Sequence, residues 1–131
     1  MVVRRSSRQW DIARLPPRPA INVHMALDYL HEIQTVYTER PLVYQRFLEI
    51  ISSRARGRSG SVKSLVATVE RIADLFGRHG HPDLIHGVDN LLPAGIRLYL
   101  PEPLENDERV VIVIVTSQTA DEIFEVVVPQ P

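Results

Sequence analysis

The residues best able to do chemistry in this sequence are its histidines and acids, and their spacing suits that chemistry poorly. His79 and His81 stand as H-x-H, His86 follows five residues later, and Asp83 lies between. Zinc accepts such groups, but it needs three or four ligands held in a fixed tetrahedral arrangement. The H-E-x-x-H spacing that puts two imidazoles on one helix face is absent. There is no cysteine, which removes disulfides, thiolate nucleophiles and thiolate metal sites together. Glu105, Asp107 and Glu108 form an acidic run flanked by prolines and read as a solvated stretch. No glycine-rich phosphate loop, G-x-S-x-G turn or nucleophile with a nearby base is present. These residues imply no catalytic group, no metal and no cofactor: the protein reads as a non-enzyme. His81, at the head of H-P-D, reads as a turn or cap residue.

The elements that carry these residues must come from 131 positions, enough for one domain with flanking segments. A 44% hydrophobic and 24% charged composition supports a real core and excludes wholesale disorder. The longest apolar run, residues 110–115, is far below the roughly 18–20 residues of a membrane-spanning helix. The opening MVVRRSSRQW has charge but no apolar stretch after it, unlike a secretory signal, so the chain reads as soluble and intracellular. A net charge of −1 hides an asymmetry. Arg4, Arg5, Arg8, Arg14 and Arg18 face only Asp11 in residues 1–18, while seven acids face only Arg109 in residues 101–131. A basic arm can touch phosphates, but no helix shows the outward basic and amide residues that read a groove. Direct DNA binding is therefore not expected, and the arm reads as a solvated tail.

Apolar periodicity predicts four helices. Residues 1–21, with RLPPRP, form a basic irregular arm. A helix starts near Asn22, a good N-cap type, and repeats Ala26, Tyr29, Leu30, Ile33 and Tyr37 at helical steps. Beside that stripe runs a second one, Val23, Leu27 and Leu30. Pro41 suits the first turn of a second helix, residues 41–55, which also has two apolar faces: Tyr44, Phe47 and Ile50, then Leu48 and Ile51. The third helix, residues 61–77, has a single broad stripe (Val62, Leu65, Val69, Ile72, Phe76), with Gly77 as its stop. A short fourth, opened by Pro82 and Asp83, carries Leu84, Ile85, Val88, Leu91 and Leu92, and Pro93 ends it. Short links make an up-down antiparallel four-helix bundle the economical arrangement for this mostly α chain. One stripe per helix would seal such a core, so helices one and two have an apolar face to spare.

These residues resemble a paired amphipathic helix (PAH) domain of the Sin-three (switch-independent) family of transcriptional corepressors. The likeness runs from ALDYLHEI (residues 26–33) through PLVYQRFLEII (41–51) and VERIADLF (69–76) to HPDLIHGVDNLLPAGI (81–96), in the family's order. It covers about residues 22–97. Val88 stands where the family usually has an aromatic, and the link between Phe76 and His81 is about two residues longer than usual. The resemblance implies a cleft between helices one and two that takes an amphipathic helix of a transcription factor or corepressor subunit, and it implies a nuclear location. Its lining would be Val23, Ala26, Leu27, Leu30 and His31 from helix one, with Tyr44, Leu48, Ile51 and Ser52 from helix two. Asp28, Arg46, Arg54 and Arg56 are expected near its rim.

Residues 98–131 lie outside the likeness. RVVIVIV and EIFEVVV (residues 109–115 and 122–128) are β-branched runs separated by turn formers and predict an antiparallel hairpin after an acidic linker. Residues 96–100 offer a third strand. A lone hairpin is marginal in water, so this one is expected to pack on the bundle, to cover the cleft as a built-in competitor, or to make a homodimer, unless it is a degenerate tail of accidental composition. With one module and no deacetylase-engaging region, the chain fits a stand-alone adaptor, a decoy, a fragment or a dimerising structural domain.

Overall fold

Three- and four-residue apolar steps fold as α-helices: α1 (Val23–Val36), α2 (Pro41–Arg56) and α3 (Val62–Arg78). The computed structural model describes residues 3–5, 23–56, 62–92, 95–102, 108–116 and 121–131; the proposed cap Asn22 and the proposed stop Pro93 lie outside them. Each helix buries one stripe in a common core: Tyr29, Ile33 and Tyr37 from the first, Val43, Phe47 and Ile50 from the second, and Leu65, Val69, Ile72 and Phe76 from the third. The fourth helical stretch, Pro82–Leu91, is wound as a 3-10 helix rather than an α-helix. Its Leu84, Ile85 and Val88 join the same core, and Val88 fills the aromatic position with no exposed surface.

Gly77 does not stop α3. The helix runs on to Arg78, and the left-handed residue is Gly80, at φ 79°. There the Gly80 N–H donates to the Gly77 carbonyl, and the His81 N–H donates to that of Phe76 at 3.0 Å. These are the two reversed bonds that close a helix on a glycine cap. Gly77 has another role, since a Cβ on it would collide with the Pro129 carbonyl and with Cγ1 of Val128. It is the seat on which the end of the last strand rests.

The β-branched runs form an antiparallel sheet. β2 (Ile96–Tyr99), β3 (Arg109–Thr116) and β4 (Asp121–Val128) follow in sequence. A short β1 (Val3–Arg5), which the sequence does not suggest, adds to the far side of β4. The order is β1-β4-β3-β2, with Val113 opposite Phe124 and Leu98 opposite Val113. Period-two alternation divides the sheet. Val111, Val113, Val115, Val126 and Val128 point into the helical core, while Val110, Ile112 and Ile114 pack with Tyr99, Ile123 and Val127 on the other face. Glu125, only 1% exposed, sits on that second face, where the register puts Arg4 opposite it. The strands pack on α3 and on the 3-10 helix. The Leu98 N–H donates to the Asp89 carboxylate at 2.8 Å, so the 3-10 helix also satisfies a donor of β2.

Two core tyrosines behave oppositely. The Tyr29 hydroxyl donates to the Leu84 carbonyl at 2.5 Å, joining α1 to the 3-10 helix, and the ring lies against Gly87, where any Cβ would meet it. The Tyr37 hydroxyl is buried without a hydrogen-bond partner. Tyr29→Phe should therefore cost about 1–3 kcal/mol, whereas Tyr37→Phe should be neutral or stabilising, as read from paired urea melts. Burial pushes both phenols up, Tyr37 to about 12 and Tyr29 further, with Asp83 adding for Tyr37 and Glu32 for Tyr29. The unfolded chain ionises near pH 10 and the folded one does not. Stability is thus complete below about pH 10 and falls as pH rises toward 12 and beyond.

Candidate functional site: a cleft between the first two helices

Burying Tyr29, Ile33 and Tyr37 fixes the rotation of α1, and burying Val43, Phe47 and Ile50 fixes that of α2. What each helix then presents beside the core follows from its period. Leu30, Tyr44 and Ile51 are half-buried against the core. Val23 and Leu27 are exposed, at 74% and 58%. Ala26, Leu48 and Ser52 are half-buried, and His31 is exposed.

At the end near the turn between the helices, the groove opens into a cavity of about 510 Å³. The structure brings His31, Tyr44 and Leu48 of the expected site together there, with Gln34, Thr35, Tyr37, Thr38, Pro41 and Gln45. Val23, Ala26, Leu27, Leu30, Ile51 and Ser52 do not line this cavity; they lie further along the two helices. Pattern reading passed over Gln34, Thr35, Thr38 and Gln45 because polar residues carry no apolar period. Their only signal is position, since Gln34 follows Leu27 and Leu30 at seven and four residues.

One expected rim charge falls elsewhere. Arg46 lines a hollow between α2 and α3 with Ile50, Arg71 and Asp74, and its guanidinium lies 3.8 Å from Glu49. Asp28 lies 3.6 Å from His24 on the exposed surface of α1. The side chains of Arg54 and Arg56 are outside the described residues. His79 and His81 turn their rings edge-on to Tyr37, with centroids 6.4 and 5.3 Å away. The His81 carbonyl accepts from the Leu84 N–H, while its side chain makes no cap bond. Among the described residues, no group of three or more His, Cys, Asp or Glu side chains could hold a metal ion, and no helix is long and apolar enough to cross a membrane.

The first two helices are amphipathic and share a cavity at their turn end. Curated relatives resemble the chain in sequence. The chain is 32% identical over 78 residues to the paired amphipathic helix protein pst3 of Schizosaccharomyces pombe, covering 60% of this chain and 6% of that protein. It is 34% identical over 82 residues to the paired amphipathic helix protein Sin3b of Mus musculus, covering 63% and 7%. It is 35% identical over 81 residues to the transcriptional regulatory protein SIN3 of Saccharomyces cerevisiae, covering 60% and 5%. No family model matches the chain, and no solved structure matches it significantly. About three fifths of the chain thus matches paired amphipathic helix proteins of the Sin3 family, of which it spans less than a tenth.

Proposed function

We propose that this domain is an interaction module of transcriptional corepression, acting in the nucleus, whose α1–α2 cleft receives an amphipathic helix of a transcription factor or corepressor subunit. The observation that carries the reading is the apolar surface left open beside the core. Val23 and Leu27 are mostly solvent-exposed while Leu30, Tyr44 and Ile51 are half-buried, in a chain of which about three fifths matches paired amphipathic helix proteins. The reading takes α1, α2, α3 and the 3-10 helix to run up and down in turn, which makes α1 and α2 antiparallel walls. It assigns binding, not catalysis, to the site, and contact with a protein helix, not with DNA.

A guest helix buries side chains at i, i+3, i+4 and i+7 in such a groove. Each leucine-sized anchor contributes roughly 1.5–3 kcal/mol, so four give on the order of 6–12 kcal/mol. Ordering the guest opposes this by about 2–5 kcal/mol, and lost translational freedom opposes it further. Reversible binding near the micromolar range follows.

Titration of an amphipathic leucine-bearing peptide into the labelled protein should shift amide resonances along α1 and α2. Leu27→Asp and Leu48→Asp should each weaken binding at least tenfold. Leu42→Asp, at a residue 75% exposed outside the groove, should leave it unchanged. Shifts confined to α3 and the sheet, or equal loss in all three variants, would remove the cleft from the reading.

A further inference from the structure

The groove is chemically lopsided along its length. At the end away from the turn its residues are mostly apolar, Val23 and Leu27 on α1 and Ile51 on α2, with Ser52 the polar exception. At the turn end the cavity is lined by Gln34, Thr35, Thr38 and Gln45 set among the apolar surfaces of Tyr37, Pro41 and Leu48, beside His31 and Tyr44. Among the described residues, no Asp, Glu, Lys or Arg lines it. The threonines have committed their protons inward. The Thr35 hydroxyl donates to the His31 carbonyl at 2.9 Å, and that of Thr38 donates to the Thr35 carbonyl at 2.8 Å. Their oxygens remain as acceptors, and each glutamine adds one acceptor and two donors.

A leucine docked here would strip water from these groups and return no hydrogen bond. A carboxylate could accept from the glutamine amides, but its charge would be desolvated with no guanidinium or ammonium among the described lining residues to pair with. A lysine would find no counter-charge. A carboxamide matches, because it donates and accepts together and carries no charge to desolvate. We propose that Gln34 and Gln45 are specificity-determining residues that select guests carrying Asn or Gln one helical turn beyond their apolar anchors, seated in the turn-end cavity. This rests on the cleft-binding reading above and adds the guest's polarity pattern to it. A site built to hydrogen-bond a side chain rejects the isostere that lacks the bonds more strongly than an apolar pocket rejects a methylene.

The test uses the intact protein and a set of helical peptides sharing leucine anchors at i, i+3, i+4 and i+7. One carries Gln a turn after the anchors, one carries Gln a turn before them, and the controls carry Leu or Glu at both places. Calorimetry should show one of the two Gln peptides binding about tenfold more tightly than the Leu and Glu controls, and which one it is reports the guest's direction. In the Gln34→Leu/Gln45→Leu variant, which alters two exposed positions and should fold normally, that preference should vanish or reverse in favour of the Leu peptide. Equal or tighter binding of the Leu or Glu control to the unaltered protein would overturn the assignment while leaving the cleft as a binding site. A Gln preference that survives in the double variant would also overturn it. Failure of every peptide to bind would overturn the cleft reading itself.

Discussion

Removing residues 101–131 should abolish the cooperative unfolding transition of the domain. The strands supply Val111, Val113, Val115, Val126 and Val128 to the core that holds Ile72 and Phe76. At about 1.5–3 kcal/mol for each well-buried side chain, five valines represent roughly 7–15 kcal/mol of transfer energy. That is an upper figure, because the unfolded chain already buries part of this surface. It is nevertheless as large as the whole stability of an ordinary domain, about 5–15 kcal/mol. Ile96 and Leu98 would lose β3, the strand they pair with, and Gly77 would expose the helix face on which Val128 rests. Thermal melts followed by circular dichroism, with dye binding as a probe of exposed apolar surface, would decide the matter. The shortened chain should melt broadly and bind dye; a sharp transition within a few degrees of the intact protein would show that the helices stand without the sheet. It follows that a shortened chain is a poor reagent for asking whether the cleft binds, and point variants in the groove are better.

The second large effect is expected at Phe76. Its ring stacks on Phe47 at 5.3 Å between centroids and on Tyr37 at 6.2 Å, and Phe47 in turn meets Tyr29 edge-on at 6.1 Å. Four rings thus join α1, α2 and α3, and Phe76 has no exposed surface. Phe76→Ala removes the contacts of one ring with two others and leaves a cavity walled by helices that are each fixed elsewhere. The site cannot collapse freely, so the cost should fall at about 3–5 kcal/mol. Urea denaturation at constant slope would measure it. A loss below about 1.5 kcal/mol would mean that the rings pack around a space the helices can close by themselves. Because Tyr37 also lines the groove cavity, peptide affinity should fall in the same variant even where it remains mostly folded.

Stripes made the helices legible. Tyr29, Ile33 and Tyr37, or Val69, Ile72 and Phe76, recur at a period that only a helix serves, and burial of those residues leaves little choice of rotation. The hairpin was legible for the same reason, since six consecutive apolar residues in β3 suit a strand covered on both faces. Gly77 was misread because helix caps and close approaches both call for glycine, and only the path of Val128 and Pro129 separates the two. The 3-10 winding of residues 82–91 leaves the apolar content of that stretch unchanged, so composition does not reveal it. β1 has three residues and no pattern; it is a strand only because β4 has an unpaired side. In the groove, the apolar positions stand out beside the core stripe. Arg46 was misplaced because on a helix one step of 100° separates the groove wall from the neighbouring surface. The polar turn end has no periodic signal, and it becomes visible only when Gln34 and Gln45 are seen across the same cavity.

The pairing of β1 with β4 puts Val3 beside Val126, so the incoming and outgoing backbone lie on adjacent strands, about 5 Å apart. The first and last strands of the described fold are thus held side by side although most of the sequence separates them. Their sheet rests on α3 and the 3-10 helix, whereas the proposed groove belongs to α1 and α2, so substitutions at the strand pair and in the groove should have separable effects.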